Sequence, residues 1–117
     1  MITVQALLDG GYRKYKSLRP GTRALYQKRI KTGDKTRYFI NVDEWDWDPY
    51  PQMAEAVKAR NALSVNCRMY MHLNGYDVEA NIDLLLEPDL TVTDVEAFYE
   101  NAYERLGCVP DRQNNDT

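Results

Sequence analysis

The chain has 117 residues, of which 44% are hydrophobic and 28% are charged, proportions that predict one globular domain and exclude a wholly disordered chain. No apolar run approaches the roughly 20 residues of a membrane span, and the first residues lack the pattern of a secretory signal. Two cysteines are too few for a disulfide-stapled scaffold. We therefore expect a cytoplasmic protein with one domain over residues 1–107 and a flexible tail over residues 108–117.

The net charge of −3 conceals a strong asymmetry along the chain. Residues 1–42 hold ten Lys and Arg against two Asp, whereas the remainder holds five Lys and Arg against sixteen Asp and Glu. Such asymmetry occurs in proteins with a phosphate-binding end, but the two parts can also fold against each other and cancel much of the field. The sequence leaves both interpretations open.

The predicted elements begin with a short helix. Thr3 can cap a helix that continues to Leu8 and ends at the glycine pair 10–11. The chain from there to residue 21 is expected to be extended or irregular, with a turn at its Pro-Gly end.

A first hairpin is predicted over residues 23–44. A loop of two or four residues would pair Ile30 with Arg37 and separate the apolar sets, so we predict a three-residue loop with Gly33 or Asp34 near the left-handed region. The opposite face of this hairpin would be basic with an aromatic residue in it, and would carry Leu25, Gln27, Arg29, Lys31, Arg37, Phe39 and Asn41.

A second hairpin is predicted over residues 64–87. Strict alternation of apolar and polar residues resumes after Asn74-Gly75, a dipeptide suited to a type I′ turn because both of its residues need positive φ. A two-residue loop pairs Val65 with Leu84 and joins apolar residues to apolar residues throughout. Turn chemistry and hydrophobic pattern therefore predict the same register.

Two further helices complete the predicted fold. Residues 51–62 predict a short helix with proline in its first turn, and Thr93-Asp94-Val95-Glu96 predicts the capping box of a closing helix. Gly107 stands where the C-terminal glycine of that helix belongs. Its apolar residues at helical spacing are Val95, Phe98, Tyr99, Ala102, Tyr103 and Leu106. The predicted class is α+β: a four-stranded antiparallel sheet from two hairpins, packed on one face by the C-terminal helix, with two shorter helices.

The sequence does not favour catalysis. His72 is the only histidine, and its odd separation from Cys67 on one strand would place the two side chains on opposite faces. Across the hairpin, His72 would meet Asp77 as a surface charge pair. Four carboxylates lie close together but lack the spacing and glycine of an EF-hand loop, which favours a solvated strand end over a metal site: Asp43, Glu44, Asp46 and Asp48. We predict no enzyme activity, no metal and no cofactor.

A protein-binding surface is the function predicted for the polar face of the first hairpin. Arginine and aromatic residues are the usual anchors of protein interfaces, and this face offers Arg29, Arg37 and Phe39. Trp45 and Trp47 would share the face, where they either pack under the following segment or extend the interface. Exposed sheet edges and tyrosine-rich faces also allow a homodimer.

The alternative partner is a nucleic acid or a nucleotide. The basic N-terminal region mixes cations with tyrosines, as a surface for phosphates and unstacked bases would, and its candidate residues are Arg13, Lys14, Lys16, Arg29 and Arg37. No established nucleic-acid-binding motif or phosphate loop supports this alternative, and the sequence pI of about 5.1 opposes it.

Three basic, aromatic segments resemble small proteins of phages and prophages. The segments are Tyr12-Arg13-Lys14-Tyr15-Lys16, Tyr26-Gln27-Lys28-Arg29-Ile30 and Arg37-Tyr38-Phe39-Ile40-Asn41-Val42, together with the closing helix Val95–Leu106. The resemblance implies a small cytoplasmic accessory protein that modifies or blocks a host factor. It assigns no functional residue.

Overall fold

The computed structural model describes residues 1–49, 51–52, 63–84, 87 and 89–107. The chain forms helix α1 (Val4–Asp9), strands β1 (Arg13–Lys16), β2 (Thr22–Thr32), β3 (Lys35–Trp45), β4 (Leu63–Leu73) and β5 (Tyr76–Leu84), and helix α2 (Val92–Arg105). The strands form one antiparallel sheet in the order β1-β2-β3-β4-β5. The α+β class, the antiparallel sheet and the C-terminal helix are thus confirmed, with five strands in place of the predicted four.

The additional strand is β1, in a segment for which an extended or irregular chain is predicted. Helix α1 starts as predicted, because the Thr3 hydroxyl accepts a hydrogen bond from the Ala6 amide at 3.1 Å. After the helix, the buried ring of Tyr12 fixes the chain to the core. The next four residues then pair with β2, with Lys14 opposite Tyr26. A strand this short and this polar gives no alternation of apolar residues to detect.

The β2–β3 hairpin keeps its apolar residues together in a different way from the one predicted. Its turn has two residues, with Gly33 at φ +58° as expected, so the predicted three-residue loop is wrong. A bulge follows the turn: Lys31 pairs with Thr36, but Ile30 pairs with Tyr38. The extra residue of the bulge shifts the register by one and returns both apolar side chains to the same face.

The β4–β5 hairpin has the predicted register at every pair of the described strands. Asn74 and Gly75 both have positive φ, +52° and +83°, as a type I′ turn requires. The backbone also places His72 opposite Asp77, as predicted. Cys67 lies in the core with no exposed surface.

Helix α2 begins two residues earlier than predicted. Its N-cap is Thr91, whose hydroxyl accepts from the Asp94 amide, while the Asp94 carboxylate accepts from the Thr91 amide at 3.0 Å. The capping box predicted at residues 93–96 is therefore wrong. The Glu96 side chain does not cap the helix. It contacts the sheet instead, where it accepts a hydrogen bond from Lys28 Nζ of β2 at 2.7 Å.

One side of α2 closes the hydrophobic core. Val95, Tyr99 and Tyr103, spaced four residues apart, are buried against the sheet, and the Tyr99 hydroxyl donates to the Ile82 carbonyl at 3.2 Å. Phe98 and Leu106 are each 45% exposed, so the prediction that all six apolar residues of this helix face the core is wrong for these two. Both residues fall outside the series of buried positions that are spaced four residues apart along the helix.

Two predictions fall largely outside the described residues. These are the helix over residues 51–62, of which only the first two are described and are helical, and the flexible tail over residues 108–117. Within the part of the chain that the structure describes, no helix is both long and apolar enough to cross a membrane.

Candidate binding surface

Helices α1 and α2 pack on one face of the sheet, and we call the other face the open face. No described element lies over it. Strand alternation and register place there Arg13, Tyr15, Leu25, Gln27, Arg29, Lys31, Phe39, Asn41, Asp43, Trp45, Ser64, Asn66, Arg68, Tyr70, Asp77, Glu79, Asn81 and Asp83. The face is polar, as one face of an antiparallel sheet in contact with water is expected to be.

Two arginines and two aromatic rings form the centre of the open face, and we call them the aromatic–arginine cluster. Phe39 lies between Arg29 of β2 and Arg68 of β4 in the sheet register. Its ring meets that of Tyr70 edge to face, with centroids 6.1 Å apart. Arg29 Nε donates to Thr36 Oγ1 at 2.5 Å, which restrains the exposed guanidinium. Phe39 and Tyr70 are only half-buried.

Two side-chain hydrogen bonds lie beside this cluster. Gln27 Nε2 donates to Asn41 Oδ1 at 2.8 Å, and Asn66 Nδ2 donates to Asp83 Oδ1 at 2.7 Å. These pairs fix amide groups in neighbouring positions across four strands. They give the open face oriented donors and acceptors that a partner can meet without reordering them.

Trp45 ends the open face at the C-terminus of β3. The Arg19 guanidinium lies 5.3 Å above its ring and pairs with Asp43 at 3.0 Å. Gly21 packs against the ring edge: a Cβ there would lie 3.5 Å from the indole. Asp43 is 8% exposed, so this pair is partly desolvated. Trp45 is therefore packed from two sides while keeping part of its surface accessible.

Trp47 lies two residues beyond β3 and is half-buried. Its indole Nε1 has no accessible surface and no hydrogen-bond partner among the described residues. Most of its ring is therefore unavailable to a partner, which favours the packing interpretation of this residue over the interface interpretation.

Arg37 does not lie on the open face, and its predicted position beside Phe39 is wrong. It is the extra residue of the bulge, which turns its side chain to the helix side. There it forms an ion pair with Glu100 of α2, and its guanidinium lies 4.6 Å from the centroid of the Tyr103 ring. The side chain is only 17% exposed.

Glu100 is held by two donors. Tyr38 Oη donates to it at 2.6 Å, and Arg37 donates to its other oxygen. Burial disfavours the charged carboxylate, but these hydrogen bonds and the positive charge of Arg37 outweigh it and hold the pKa of Glu100 below its ordinary value. The cluster joins β3 to α2 and belongs to the fold.

The other basic candidates are divided between the two faces. Arg13 alternates onto the open face, while Lys14 and Lys16 of the same strand are exposed on the opposite side. The five candidates for phosphate binding therefore do not form one surface. Of these five candidates, the register brings only Arg13 and Arg29 to the open face.

The two aspartates that follow β3, Asp46 and Asp48, both form ion pairs with one arginine. Arg23 lies 3.1 Å from Asp46 and 2.5 Å from Asp48. The hydrogen bond from the Asp48 amide, followed by the hydrogen bond and positive charge of Arg23, lowers the pKa of Asp46. Within the described residues, no group of three or more His, Cys, Asp and Glu side chains is placed to hold a metal ion.

Arg68 and Tyr70 were not among the candidates selected from the sequence. The alternation of residues 64–73 puts both on the polar side of their strand, but only the pairing of β3 with β4 brings them beside Phe39. Comparison of the chain with protein-family models, curated proteins and solved structures gives no match.

Proposed function

We propose that this protein is a small non-enzymatic binding protein, a cytoplasmic phage or prophage accessory protein, that acts through a protein–protein contact on its open face. The observation that carries the proposal is the aromatic–arginine cluster at the centre of that face. Arginine and large aromatic side chains supply most of the binding energy in protein interfaces, and central positions contribute most.

The geometry supports Arg29 and Phe39 as anchors and adds Arg68 and Tyr70 to them. Trp45 extends the surface at one end. Arg37 supports the fold, because its guanidinium is occupied by Glu100 and a tyrosine ring. The rings of Phe39 and Tyr70 are half-buried and already restrained by the sheet. Binding would therefore cost little side-chain entropy at these two residues.

Photo-crosslinking tests this proposal. A photoreactive phenylalanine analogue replaces Tyr70 on the open face or, as a control, exposed Asn101 on α2. In extract from the source organism, we expect a discrete adduct from position 70 alone, sensitive to protease and resistant to nuclease. Equal adducts from both positions, or none from position 70, would contradict the proposal.

A nucleic acid is the second candidate partner. The specific observation in its favour is that Arg13 and Arg29 share the open face with the rings of Tyr15 and Phe39, a combination that suits phosphates and stacked bases. It predicts binding of a labelled single-stranded oligonucleotide at about 20 mM salt, lost steeply toward physiological ionic strength. A nuclease-sensitive adduct in the crosslinking experiment would favour it over the protein contact.

A further inference from the structure

The open face carries opposite charges on its two sides. Arg13 and Arg29 lie on the β1–β2 side, whereas Asp77, Glu79 and Asp83 lie on the outer strand β5. Arg68 of β4 pairs with Glu79 at 3.8 Å, an exposed contact that offsets one of these three carboxylates and leaves this side acidic. Three strand spacings separate β2 from β5, roughly 14 Å. At that distance the two groups remain distinct, because it exceeds the Debye length of about 8 Å at physiological salt.

From this arrangement we infer that the open face binds a second copy of this chain, face to face about a twofold axis. The inference rests on the proposed function and names its partner. The axis lies in the interface, parallel to the strands and between β3 and β4. Rotation about this axis places β2 of each copy over β5 of the other. The basic side of each copy therefore covers the acidic side of the other. An axis across the strands would instead stack like charges.

This geometry also brings the aromatic–arginine clusters together. Strand β3 of one copy lies over β4 of the other, which puts Phe39 against Arg68 of the second copy and Asn41 against Asn66 of the second copy. A guanidinium over an aromatic face and a pair of facing amides are both favourable contacts. Arg29 then meets the edge that carries Glu79 and Asp83.

A nucleic acid fits the same face less well. Its phosphates would be attracted by one side and repelled by the other, whereas a second copy meets both sides with the opposite charge. Pairing through the β1 edge is also disfavoured between copies, because this four-residue strand carries three cations, Arg13, Lys14 and Lys16.

The size of the face predicts a weak dimer. Four strands about 19 Å wide and eight or nine residues long give roughly 500 Å² per copy, so about 1,000 Å² in total. This is at the lower end for specific interfaces and matches a transient complex with a dissociation constant in the micromolar range.

Sedimentation of the purified full chain at about 10–300 μM tests the inference. We expect a monomer–dimer equilibrium that weakens when salt is raised from about 50 to 500 mM. R13E/R29E reverses the charge of the basic side of the face, and E79K/D83K reverses two carboxylates of the acidic side. Each should bind itself at least tenfold more weakly than the wild type, and an equimolar mixture of the two should form a dimer again. K14E changes the same charge on the opposite side of β1 and should leave the dimer unchanged.

The outcomes separate the inference from the proposed function. A wild type that stays monomeric to 300 μM, a mixture that stays monomeric, an assembly larger than a dimer, or an oligonucleotide complex would each overturn the second copy as partner. Protease-sensitive crosslinks from position 70 to another protein would leave the proposed function standing. If a charge-reversed variant melts at a lower temperature than the wild type, the single variants F39A and R29A are measured in its place. If both of these single variants dimerise as strongly as the wild type, the inference is overturned.

Discussion

Replacing Arg37 with alanine is expected to destabilise the fold, whereas replacing Arg29 with alanine is not. The Arg37 side chain is 17% exposed and lies between Glu100 and the ring of Tyr103. Its partly desolvated contact with the ring is worth about 1 kcal/mol. The ion pair contributes about 0.5–1 kcal/mol, discounted because the Glu100 side chain is 40% exposed. The loss is therefore about 1.5–2 kcal/mol, or a fall in Tm of roughly 6–8 °C for a chain of this size.

Urea denaturation of the wild type, R37A and R29A checks this difference. Arg29 is exposed, and its side chain donates hydrogen bonds to Thr36 and to the Asp34 carbonyl within its own hairpin. R29A should therefore change the free energy of unfolding by less than about 0.5 kcal/mol. A double-mutant cycle with Glu100→Gln should return a coupling of about 0.5–1 kcal/mol between Arg37 and Glu100. If R37A and R29A unfold at the same urea concentration, the assignment of Arg37 to the fold is wrong.

Three further predictions concern stability. The pKa of Glu100 is lowered in the folded state, so its contribution to the free energy of unfolding is complete above its ordinary pKa of 4.5 and is lost as the pH falls below that value. Urea titrations from pH 6 to 3 should therefore show a smaller loss of stability in E100Q than in the wild type. Thr91→Ala removes the N-cap of α2 and should cost about 1 kcal/mol, while Thr93→Ala should cost less than half of that, and equal costs would contradict the observed helix start. Gly75→Ala imposes a side chain at φ +83° and should cost about 1–2 kcal/mol in thermal melts, unless the turn relaxes to another type.

The β4–β5 hairpin could be predicted in full because two independent signals agreed on it. The Asn74-Gly75 turn demands a two-residue loop, and alternation on both sides of it permits one register. The β2–β3 hairpin had only the hydrophobic pattern, with Lys28 interrupting one apolar side. Its bulge satisfies that pattern at a different loop length, and a bulge leaves no reliable mark in the sequence.

The candidate site was predictable only where it depends on alternation within one hairpin. Arg29 and Phe39 lie together on the open face because they are direct partners in the register of β2 and β3. Arg37 was misplaced because the bulge changes the direction of one side chain. Arg68 and Tyr70 required knowledge of which strands are neighbours, and that follows from the packing of the whole sheet under α2.

The charge asymmetry of the sequence is distributed over the two faces in different ways. On the helix side, carboxylates of α2 neutralise cations of the sheet: Glu96 pairs with Lys28, and Glu100 pairs with Arg37. On the open face, the exposed guanidinium of Arg29 has no acidic partner within the described part of the chain. The carboxylates of β5 lie three strands away on the same face. The face-to-face contact that we propose depends on this separation of charge within one face and not on the net charge of −3.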